Sequence, residues 1–114
     1  MEKSDKQKRI KREISRLKKI FKDVDANKLD LVKALIERAA YITVSLQDIE
    51  EQLNMEGWTE EYNNGRLQSG LKKSAAAECH ISLVKNLNAI MKQLLEIVPP
   101  AKDKESRLDA LLRE

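Results

Sequence analysis

The chain is poor in nearly everything that builds a large single core or an active site. Its 114 residues include one cysteine, one histidine, one tryptophan and one phenylalanine, and aromatic residues make up only 4%. The lone cysteine, Cys79, excludes an intramolecular disulfide and fits a reducing cytosol. So few rings mean few large burial units, which favours narrow apolar seams completed by self-association. No apolar run approaches the ~20 residues needed to span a bilayer. The charged N-terminus lacks the apolar centre of a secretion signal. The expectation is a chain with no membrane partner.

Missing motifs exclude most chemistry. The three glycines, Gly57, Gly65 and Gly70, sit at no phosphate-cradling spacing, and there is neither a Walker loop nor a GxGxxG run. His80 adjoins Cys79, but neighbours on a helix point about 100° apart and cannot jointly grip a metal. Both fit better as side chains on or beside a helix seam. Glu60 and Glu61 are sequence neighbours in a polar stretch, where solvated charge is the simpler reading than an acid–base pair. The chain is therefore expected to be no enzyme and to need no cofactor and no metal.

What is present is charge, unevenly placed. Residues 1–22 carry ten Lys or Arg side chains against three acids, a balance of +7 that leaves −4 on the rest of a chain whose net charge is +3. Within this basic arm Ile10, Ile14, Leu17, Phe21 and Val24 recur at spacings of three and four, predicting an amphipathic helix from about Ser4 to Val24. Lys8, Arg9, Lys11, Arg12, Arg16, Lys18 and Lys19 fall on its polar side. These are candidate phosphate contacts, because no Asn/Gln or aromatic cluster accompanies them to read bases. The bland reading of the same residues is a solvated helix face.

Asp25 is an expected N-cap for a second helix over about 26–54. Its seam runs through Leu29, Val32, Ile36, Ala39, Thr43, Leu46, Ile49 and Leu53. Residues 55–73 hold all three glycines and break the pattern. Asn64-Gly65 is a turn signal, and a two-stranded hairpin around it would be marginal alone. Ser74 is positioned to cap a third helix over about 75–98, with a seam of Ala77, Ile81, Val84, Leu87, Met91, Leu94 and Val98. Pro99-Pro100 cannot continue it. The two long helices should pair as an antiparallel hairpin. Leu35, Ile42, Leu46, Leu87 and Met91 are candidates for core or subunit contact. The tail is polar until Leu108, Leu111 and Leu112, three leucines on one helical face that suit docking onto a partner. The predicted organisation is all-α, with a basic arm (1–24), a helical core (25–98) with its connector (55–73), and a tail (99–114).

The run GWTEEYNNGRLQSGLKKSAAAECHISLVKNLNAIMKQLLEIVPP resembles the small terminase subunit family of tailed bacteriophages and prophages. The likeness rests on a Gly-x-Thr-x-x-Tyr-x-Asn-Gly turn at Gly57, Thr59, Tyr62, Asn64 and Gly65. It continues with Lys72-Lys73-Ser74 opening a helix, then Lys85, Asn86, Ile90, Lys92, Gln93 and Leu94 within it. Upstream, LIERAAYITVSLQDIEEQL also fits, so residues 32–98 are covered. One departure is Ala75, where family members often carry Pro after the capping Ser. The arm and tail match no motif of the family. The resemblance implies a ring-shaped homo-oligomer in the cytoplasm of a bacterial host. It implies that the ring recognises double-stranded viral DNA and recruits the large terminase subunit, which holds the ATPase and nuclease. Leu108, Leu111 and Leu112 are then the expected large-subunit docking face. From the seams alone, a helical coiled-coil-like scaffold without nucleic-acid function is the alternative.

Overall fold

The computed structural model describes residues 3–63, 69–97 and 112. Among them the order is α1 (Lys3–Ile20), a 3₁₀ turn (Ala26–Lys28), α2 (Leu29–Glu56), β1 (Thr59–Asn63), β2 (Ser69–Lys73) and α3 (Ala75–Ile97). The chain is mostly helical, as its periodicity predicts, with one small two-stranded sheet inserted between the long helices. None of the described helices is long and apolar enough to cross a membrane.

Both α1 and α3 run antiparallel to α2. Arg9, early in α1, meets Asp48 late in α2, while His80, early in α3, meets Glu50. At the opposite end the three apolar seams converge. Leu17 and Phe21 of the arm, Val32, Ile36, Ala39 and Ala40 of α2 and Leu94 of α3 form one buried cluster. Ile10, Ile14, Leu35, Leu87, Ile90 and Met91 pack around it, half-buried. The basic arm is thus an integral part of the core rather than an appendage.

Several boundaries differ from the periodic reading. Helix α1 ends at Ile20, not Val24. The Phe21 N–H still bonds to the Leu17 carbonyl (2.9 Å), but Phe21 is buried in the cluster and the chain reverses directly after it. Asp25 does not cap α2. Its carbonyl accepts the Lys28 N–H (2.9 Å) in the 3₁₀ turn, its carboxylate makes no capping bond, and Lys28 occupies the N-cap position of α2. Helix α2 in turn runs two residues past 54, to Glu56. It ends at Gly57, whose φ of +88° is the backbone reversal that glycine adopts without strain.

Ser74 caps α3 as expected: its Oγ accepts the Ala77 N–H at 3.1 Å. The Ser74 N–H also donates to the Trp58 carbonyl (3.0 Å), continuing the strand ladder to the foot of the hairpin. Strand pairing runs from Thr59↔Lys73 to Asn63↔Ser69. The Asn64-Gly65 turn, Val98 with Pro99-Pro100, and Leu108 and Leu111 lie outside the described residues.

Candidate nucleic-acid interface

The arm separates its cations into two sets. At about 100° per residue, Lys8, Arg12 and Lys19 fall opposite the Ile14–Leu17–Phe21 seam of α1, and Lys11 and Lys18 lie beside them on one flank. All five side chains are exposed. Because the seam is anchored in the core, the stripe is held facing outward. From Lys8 to Lys19 it extends ~17 Å, about five base pairs of duplex measured along one strand.

Arg9 and Arg16 lie on the flank of the helix and face the protein. Arg9 donates from Nη1 to Asp48 Oδ1 (2.7 Å) and from Nη2 to Gln47 Oε1 (2.9 Å), joining α1 to α2. Arg16 donates from Nε and Nη2 to the two carboxylate oxygens of Glu13 (3.0 and 2.6 Å), a bidentate fork within α1. A third tie comes from Lys6, whose Nζ sits 4.9 Å from the centroid of the Tyr41 ring. The seven cations expected on one polar face therefore divide into five that face solvent and two that have partners within the chain.

Two further cations join the exposed set. Lys18, Lys22 and Lys33 line one recess with Phe21, Val24 and Leu29 at the α1–α2 turn, alongside the single acid Asp30. Lys33 belongs to α2 and comes beside the stripe only because the helices pair antiparallel. No one-dimensional pattern contains that proximity.

The other expected site residues are dispersed. Ile42 and Leu46 are buried within the chain. Leu35 is half-buried against the core cluster. Leu87 and Met91, also half-buried, line an open groove between α2 and α3 with Thr43, Leu46 and Leu95. Leu112, helical and 82% exposed, lies at the rim of this groove. At the hairpin end, His80 is bound to Glu50 (Nε2 to Oε2, 2.9 Å) and meets the Trp58 ring edge to face at 5.2 Å. This contact joins α2, α3 and the hairpin foot, a tie that the sequence alone did not reveal. Cys79 is exposed, and no cluster of three metal-ligating side chains occurs among the described residues. No family model, curated protein or solved structure matches the chain.

Proposed function

We propose that the protein is a DNA-binding subunit of the small terminase type, which assembles as a ring, grips duplex DNA through α1 and recruits a separate motor subunit. The observation that carries this reading is the exposed stripe Lys8–Lys11–Arg12–Lys18–Lys19 on a helix docked by its opposite face. A rigid row of cations neutralises phosphates and releases counterions, which gives affinity without base readout. Docking also reduces the ordering entropy that a free basic tail would lose on binding. The resemblance over residues 32–98 supplies the role in genome packaging, and the half-buried groove of Leu87, Met91 and Leu95 suits association between copies.

The large terminase subunit is the proposed docking partner of the tail leucines Leu108, Leu111 and Leu112. Mass measurement under native conditions, with and without duplex DNA, tests the whole reading. A defined ring that takes up DNA and releases it at high salt supports it. A dimer indifferent to DNA assigns the chain to the helical scaffold class instead.

A further inference from the structure

The hairpin is electrically polarised across its width. Strand β1 (TEEYN) carries Glu60 and Glu61, while strand β2 (SGLKK) carries Lys72 and Lys73. Among the described residues no third strand covers either side. Alternate residues of each strand therefore aim their N–H and C=O groups outward, unpaired. At the same end of the molecule Met55, Trp58 and Leu71 are exposed, Leu71 to 68%. A lone two-stranded hairpin is marginal in water, and this one stands at the end of the helices with its edges open.

We propose that the hairpins of neighbouring copies pair edge to edge, with β1 of one copy against β2 of the next. The occupant is a second copy of this chain, and the argument is charge. Within one hairpin Glu60 lies opposite Lys72, with the carboxylate 3.6 Å from the ammonium. Antiparallel addition of the next copy in the same register extends this pair into an alternating row of Glu60, Lys72, Glu60 and Lys72 on one face. On the other face Glu61 of the added strand stands diagonal to Lys73, within reach of its long side chain. A two-fold arrangement does the opposite. Pairing β1 with β1 brings Glu60 and Glu61 against their own copies, and pairing β2 with β2 does the same for Lys72 and Lys73. The charge pattern thus selects head-to-tail contact over a symmetric dimer, and head-to-tail contacts close into a ring when the rotation permits. This inference rests on the ring reading above and names the surface that would set its handedness and polarity.

The test is a charge swap on the full chain, read as the mass distribution by sedimentation at low and high salt. Glu60→Lys/Glu61→Lys makes both edges basic, and Lys72→Glu/Lys73→Glu makes both acidic. Each should weaken association roughly tenfold to thirtyfold, since attractive cross-strand pairs become repulsive. Mixing the two variants should restore assembly, and so should combining all four changes in one chain. Helical content by circular dichroism confirms that each variant folds. The four-change chain guards against misfolding, because it keeps an attractive pair at 60 and 72. If the parent chain assembles and both charge variants assemble equally well, the hairpin contact is overturned while the ring and DNA reading stand. If only one of the two charge variants loses association, the contact uses a single edge in a symmetric arrangement and the proposal is wrong. A parent chain that stays monomeric at micromolar concentration, with or without DNA, overturns both.

Discussion

The two ends of the molecule solve the same problem differently. At the end where α1 turns into α2, three helices meet, and Leu17, Phe21, Val32, Ile36 and Leu94 are almost wholly covered by the chain itself, with only Leu29 and Leu31 at the start of α2 left about half exposed. At the hairpin end only α2 and α3 remain. Leu53 and Ala77 are buried there, yet Met55, Trp58, Leu71 and Ile81 are left in solvent. Both ends use the same kinds of residue, so apolar content does not explain the difference. A third helix does: α1 covers one end of the α2–α3 pair and stops short of the other. The uncovered end is where a partner has most to gain.

Substitutions sharpen this contrast. Leu94→Ala removes a fully buried side chain beneath three helices and should destabilise the chain by about 2–5 kcal/mol, measured by denaturant unfolding. Leu71→Ala, at the open end, should change unfolding by less than ~0.5 kcal/mol and act on association instead. Equal losses at the two sites would remove the distinction. Ser74→Ala deletes the α3 cap and should cost about 1 kcal/mol, seen as a lower denaturation midpoint with unchanged slope. Arg9→Ala severs the Asp48 and Gln47 contacts. Because both charged partners are partly solvated, the loss should be only about 0.5–1 kcal/mol, with amide exchange in α1 accelerating before that in α3. The smallest effect on stability is expected for a chain ending at Pro100. It should keep its oligomeric state and DNA binding, while recovery of the large terminase subunit in a pull-down falls. Equal recovery would remove the tail from the docking role.

Much of this architecture was legible in the sequence because helices write their buried faces at intervals of three and four. The seams of α1, α2 and α3 and the Ser74 cap follow from spacing and local hydrogen bonding alone, except that Leu29 and Ile81, expected in the seams, are exposed toward the ends of their helices. Where tertiary contact decides, spacing alone does not suffice. Phe21 continues the α1 stripe in register and is buried with it, yet the helix has already ended at Ile20. Asp25 has the right side chain for a cap but sits before a 3₁₀ turn. Among the candidate DNA contacts, helix spacing places Arg9 and Arg16 near Lys8 and Arg12. Only the rotation of α1 against α2 shows that Arg9 meets Asp48, and only the folded side chains show Arg16 clamped on Glu13. Likewise Lys33 joins the basic surface, and His80 meets Glu50 and Trp58, through pairings between segments distant in sequence.

The central claim is that the outward stripe, not total charge, makes the contact with DNA. It is tested most directly by the salt dependence of duplex binding for two variants that lose cations from the same helix. Lys8→Gln/Lys11→Gln/Arg12→Gln removes three exposed members of the stripe. The slope of log affinity against log salt should fall by roughly 0.9 per contact, or about 3 per protomer. Arg9→Gln/Arg16→Gln removes the two flank cations that have partners within the chain, and should leave the slope nearly unchanged. If the flank variant flattens the salt dependence as much per charge as the stripe variant, or if neither alters it, DNA does not lie along this face of α1 and the account is wrong.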